Sequence, residues 1–266
     1  MSSAASVIEQ DAEETWPDNL LAILETSLEE LRHFEIERRN IDALMQRDIR
    51  ARIHTPHNKF AEARSAIVER CRSAVRGAKL VGYHCTRLLD QEAELIWRDG
   101  LKPASSDLAV QKIDIALSSG AITRPFADKL RRNNLAGKEG RVGLLWFVTD
   151  RETLRDAGSV ERLLRSWGGE AVYWGNESGS DGTILGSIGT PTIITAHINV
   201  DEIKNFDTGT NLLLRYLSSR GVSVANKATD NAYVKTSIPG ALLKFHRLGT
   251  ETFEHLTGES SWTNRL

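Results

Sequence analysis

Three short segments of this chain gather residue types able to do chemistry. Tyr83-His84-Cys85-Thr86-Arg87 puts an imidazole, a thiol and a hydroxyl at the end of an apolar run, and Gly100-Leu101-Lys102-Pro103 follows after one helix. Residues 143–149 (GLLWFVT) set Trp146 and Phe147 in an apolar strand, and Asn231-Ala232-Tyr233-Val234-Lys235 leads through Ile238-Pro239-Gly240 to a last strand. Neighbouring strand residues point to opposite faces, which argues against His84 and Cys85 as a base–nucleophile pair. The same alternation sends one of Trp146 and Phe147 inward. A fourth cluster is Trp167-Gly168-Gly169-Glu170. Its glycines permit a tight turn or the close approach of a ligand. Glu170, flanked by aromatics, reads either as the acid of a site or as an exposed glutamate. The run Gln91, Glu92, Glu94 falls on the helix after the first strand and reads as solvated surface.

Taken in order, the first three segments resemble the signature of ADP-ribosyltransferases of the poly(ADP-ribose) polymerase and diphtheria-toxin type. There a strand carries His-Gly-Thr or His-Gly-Ser, followed by a helix and a Gly-Leu-x-Pro-like stretch. A second strand reads Gly-Ile-Tyr-Phe-Ala and a late one Asn-Glu-Tyr-Ile-Val. The resemblance covers roughly residues 79–247 and implies a split β-sheet domain that uses NAD as substrate. It implies that His84 hydrogen-bonds the adenosine ribose, that Thr86 supports that end of the pocket, and that the Cys85 backbone clamps the nicotinamide amide. Trp146 stands where the family has tyrosine and offers an aromatic wall, keeping the stacking and losing the hydroxyl. Tyr83 and Phe147 complete the expected cofactor pocket, and no metal is expected.

The main departure is Ala232, where the family carries the glutamate that stabilises positive charge on the ribose. Three explanations stand: a deliberate Glu-to-Ala change that leaves an inactive variant, a pseudoenzyme that binds NAD or ADP-ribose, or another acid, Glu170 first, doing the work. The resulting expectation is a mono-ADP-ribosyltransferase, a bacterial toxin or phage-defence effector with a possible antitoxin partner. A non-catalytic NAD or ADP-ribose module is the alternative from another class. An NAD-dependent RNA 2′-phosphotransferase is a third reading, kept open by Arg87 beside His84.

The elements that must position these residues follow from spacing. From Asp18 to His54 there is no Pro or Gly, and Leu21, Leu24, Leu28 and Leu31 keep helical intervals, as do Ile41, Leu44, Met45 and Ile49. Phe60, Ile67, Cys71 and Val75 predict a second helix, stopped by Gly77. A strand is expected at 79–86, then a helix at 87–99 with Leu88, Leu89, Ala93, Ile96 and Trp97 inward. Helices are expected at 107–118, 124–134, 159–166 and 210–220, with strands at 143–149, 170–174, 192–200, 232–236 and 241–247. The fold class is therefore α+β, with a helical N-terminal region at 1–77 and the transferase-like domain at 78–266.

Of the 266 residues 40% are hydrophobic and 26% charged, with a net charge of −2, enough apolar material for a real core and no global pull toward a polyanion. Residues 1–31 hold eight acids and no Lys or Arg, whereas 32–79 hold twelve bases against six acids. That stretch, with Arg124, Lys129, Arg131, Arg132, Lys138 and Arg141, leans the expected acceptor slightly to nucleic acid over protein. Two cysteines make no disulfide framework or zinc site. Without a signal-peptide pattern or a long apolar run, a cytoplasmic protein with no membrane partner is expected.

Overall fold

The computed structural model describes residues 6–258 and 262–266, apart from the side chains of residues 157 and 159. The elements begin with β1 (Val7–Ile8), α1 (Asp18–Arg47), α2 (Ile49–Ile53), α3 (Ala61–Val75), β2 (Lys79–Leu88), α4 (Asp90–Asp99), α5 (Ser106–Ser118) and α6 (Arg124–Asn133). Then come β3 (Leu145–Val148), α7 (Arg151–Arg155), α8 (Ala157–Arg165), α9 (Glu170–Tyr173), α10 (Gly179–Ser187) and β4 (Thr190–Asn199). The series ends with α11 (Thr208–Ser219), β5 (Asn231–Val234), β6 (Leu243–Arg247) and α12 (Glu251–Thr257). With 54% helix, 14% strand and an antiparallel sheet, the fold class is α+β.

The chain forms two compact units. The first takes the stretch up to Lys79 together with Asn199–Asp201 and Asn205–Thr229. The apolar spacing after Asp18 gives α1, which buries Leu20, Leu24, Leu31 and Ile41. Asp48 ends it with extended backbone (φ −124°, ψ 118°), and its carboxylate accepts from Arg50 N at 2.8 Å to start α2. In α3 the buried side is Ile67, Val68, Cys71 and Val75; Phe60 sits at the cap rather than on that face. The helix expected at 210–220 belongs here rather than with the strands. As α11 it packs on α1 and α3, because its two-sided Leu/Tyr surface needs helices around it. Asp207 fixes its start, accepting from Thr210 N at 2.6 Å and pairing with Arg72 Nε at 2.9 Å.

The second unit holds Leu80–Ile198, Glu202–Lys204 and the chain from Asp230 onward. Its sheet runs β5-β3-β2-β4-β6. Four residue pairs join β3 to β5 and five join β4 to β6. Between β2 and β3 the only pair among the described residues is Tyr83 with Val148. One face of the sheet, with Val81, Tyr83, Cys85 and Val148, packs on Leu154, Val160 and Leu164 of the α7–α8 segment and on Phe253 and Leu256 of α12. A separate cluster around Ile113, Phe126, Leu130 and Trp167 joins α5 and α6 to the segment that contains α9.

Two further expectations are corrected. The 170–174 stretch is a one-turn helix, not a strand: Gly168 (φ 90°) and Gly169 (φ 70°) reverse the chain, and Glu170 opens α9. The helix after the first strand begins at Asp90, since β2 runs on to Leu88, and Trp97 faces outward at 60% exposure.

In the first unit the tightest approach is at Gly209, where a Cβ would lie 2.6 Å from Arg72 N and 2.8 Å from Cys71 C. Both contacts are backbone and cannot rotate away, so Gly209→Ala must push α11 off α3. Denaturant unfolding is expected to show a loss of about 2 kcal/mol; an unchanged midpoint would mean that the two helices slide freely.

Candidate functional site

A cleft of about 570 Å³ opens within the second unit, in the size range of small-molecule sites. Its walls include the end of β2, the adjoining α4 and α5, β3, and the Gly168-Gly169-Glu170 turn. Tyr83, His84, Cys85, Thr86, Trp146, Phe147 and Glu170 all line it. Ala232 does not: it is fully buried opposite Phe147 across the β3–β5 ladder, and its neighbour Asn231 reaches the cleft instead.

The cleft exists because β2 and β3 part after one pair. His84 Nδ1 lies 2.9 Å from the carbonyl oxygen of Trp146. A carbonyl only accepts, so Nδ1 carries the hydrogen and donates it, and in the neutral ring Nε2 is left as an acceptor. The ring is half-buried, with Phe147 edge-on at 6.0 Å between centroids. Desolvation first, opposed by the bond to Trp146 and aided by the charge of Lys112, brings its pKa down from 6.5 to about 4. His84 is therefore neutral at physiological pH.

Cys85 and Tyr83 turn their side chains into the core, so what they offer the cleft is backbone. Burial pushes the Cys85 thiol up to about 12, which removes it as a nucleophile. Phe147 is core and Trp146, 44% exposed, is its outward neighbour, with its ring 4.8 Å from that of Tyr233. Thr86 is buried. The Glu170 side chain is 47% exposed, and its carboxylate pairs with Arg141 Nη2 at 3.3 Å. The Arg141 guanidinium also lies 5.6 Å from the Trp174 ring, with that of Arg162 at 5.3 Å from the same ring.

Arg87 is not available to a phosphate. It is buried, its Nε donates to Ile188 O at 2.7 Å, and its Nη1 lies 3.4 Å from the carbonyls of Leu164 and Leu266. Several bases of the sequence clusters are likewise engaged: Lys129 with Asp181, Arg131 with Asp114 and Asp128, Arg38 with Glu35 and Asp42.

Glu92, expected on a solvated face, is 3% exposed and lines the cleft. Its Oε2 accepts from Leu89 N at 2.8 Å and from Trp167 Nε1 at 2.7 Å, and Lys112 Nζ lies 3.6 Å from Oε1. The sequence signal was its place three and four residues before Leu95 and Ile96, on the apolar side of α4.

Family models, curated proteins and solved structures offer no match to this chain. No helix among the described residues is long and apolar enough to cross a membrane.

The depressed pKa of His84 has a sign that can be tested. Between pH 6.5 and about 4 the unfolded chain takes up a proton at this residue that the folded chain refuses, so stability falls as pH falls through that window. His84→Gln removes the group. The drop in unfolding free energy from pH 7 to pH 5 is expected to be smaller in the variant than in the wild type. Equal drops would mean that His84 titrates normally.

Proposed function

We propose that this cleft binds NAD and that the protein is a mono-ADP-ribosyltransferase built on a split β-sheet of the kind its sequence signature resembles. The observation that carries the reading is the parting of β2 and β3 after the Tyr83–Val148 pair, at the place where the signature residues meet. On this reading a flat amide-bearing ring lies against the backbone at Cys85 and the indole of Trp146, both of which line the cleft, and an indole stacks well on a partly cationic ring. The neutral His84 presents an acceptor, Nε2, suited to a ribose hydroxyl.

The proposed acceptor is a macromolecule, with nucleic acid favoured. What supports that lean is Trp174, 47% exposed and flanked by the Arg141 and Arg162 guanidiniums, an arrangement on which an unpaired base stacks.

Calorimetric titration of NAD into the wild type and into His84→Ala tests the cofactor. The wild type is expected to bind and the variant to bind about tenfold more weakly, the value of one hydrogen bond in a desolvated site. Equal binding removes His84 from the pocket, and no binding by the wild type defeats the NAD reading.

A further inference from the structure

We infer that Glu92 supplies the negative charge that position 232 lacks: its Oε1, which makes no hydrogen bond within the protein, accepts from the nicotinamide-ribose hydroxyl and faces the carbon that becomes cationic. The inference rests on the NAD reading above.

Two of the carboxylate's features point this way. Oε2 is fully occupied, by Leu89 N–H and Trp167 Nε1–H, which locks the side chain in place. Oε1 is buried, has no hydrogen-bond partner, and has Lys112 Nζ only at 3.6 Å. A helix start asks for one acceptor, which glutamine provides equally well, so capping α4 explains Oε2; Oε1 has a long ion pair with Lys112 at 3.6 Å and no hydrogen bond. A buried carboxylate oxygen without a hydrogen bond is costly to keep. In a ligand cleft it is completed by the ligand.

The other two acids compare poorly. Glu170 is half in water, so its field is screened, whereas Glu92, ion-paired with Lys112 as Glu170 is with Arg141, is buried. Position 232 has a methyl group. Glu92 sits out of water in the same cleft as His84 and Thr86, where a fixed charge acts at low screening. In the reaction the bond between ribose C1′ and the nicotinamide nitrogen breaks, and its electron pair leaves with neutral nicotinamide. A bond forms from C1′ to an oxygen or nitrogen of the acceptor, or of water, whose proton passes to solvent. Glu92 remains a carboxylate throughout and stabilises the cationic sugar between the two events.

Glu92→Gln separates this role from capping. The amide oxygen still accepts from Leu89 and Trp167, and an NH₂ replaces Oε1. Thermal unfolding checks that the fold is kept, calorimetry reads NAD affinity, and mass spectrometry reads nicotinamide release, with water as acceptor and again with a cell lysate. The expected result is affinity within about threefold of the wild type and release lowered roughly 10²- to 10³-fold. Release unchanged in Glu92→Gln overturns the inference. So does a wild type that binds NAD yet releases nothing while Ala232→Glu releases nicotinamide, which would return the role to β5 and leave the cofactor reading intact. A wild type that binds no NAD defeats the cofactor reading and the Glu92 role together.

Discussion

The hydrogen bond from the His84 imidazole to the Trp146 carbonyl is the constraint on which the cleft depends. Adjacent strands lie about 4.8 Å apart when their backbones exchange N–H···O bonds. A side chain that takes the carbonyl stands between them, and the ladder between β2 and β3 stops at Tyr83 and Val148. That one substitution of imidazole for backbone frees strand backbone on one side of the gap and exposes Trp146 on the other. It also fixes the tautomer of His84, and Phe147 meets the ring edge-on at 6.0 Å. The cleft wall, the ring orientation and the tautomer of His84 thus share one cause.

Burial then sorts the ionisable groups. Desolvation drives His84 and Cys85 toward their neutral forms, so the β2 end of the cleft offers hydrogen bonds and no charge. The charges stand elsewhere, on Glu92 and Lys112 inside and on exposed pairs such as Arg162 with Glu177 outside. Exposed pairs contribute little to stability. Their value here is local: they hold two guanidiniums against Trp174.

Helical and strand periodicity made most elements legible, and β2, β3, α5 and α6 fall close to their expected places because each has an uninterrupted apolar pattern. Tyr83 to Thr86, Gly100 to Lys102 and Leu144 to Val148 of the first two segments line one cleft, while Arg87 is turned away from it. What periodicity could not show was partnership. The apolar α11 was readable as a helix, yet nothing in its own residues said that it packs on α1 and α3 rather than beside the strands on either side of it in sequence. The stretch after Gly169 has the aromatic and branched residues of a strand, and two positive-φ glycines override that preference. Glu92 was hidden for a third reason. A charged residue is assigned to solvent by default, and the partners that allow its burial, among them the indole of Trp167, 75 residues away, are not visible in helical spacing.

The position of a carboxylate relative to His84 depends on how many joints lie between them. From His84 to position 232 the path crosses from β2 to β3, joined by the Tyr83–Val148 pair and the His84–Trp146 hydrogen bond, and then the β3–β5 ladder. A slip of one residue in either pairing would turn a side chain at 232 to the other face of the sheet. From His84 to Glu92 the path is one continuous stretch, β2 into α4, closed by the bond from Leu89 N to Oε2. Stabilising a developing cation demands placement to within a fraction of an ångström. On the proposed role of Glu92, position 232 needs only a small buried residue opposite Phe147, and alanine is sufficient there.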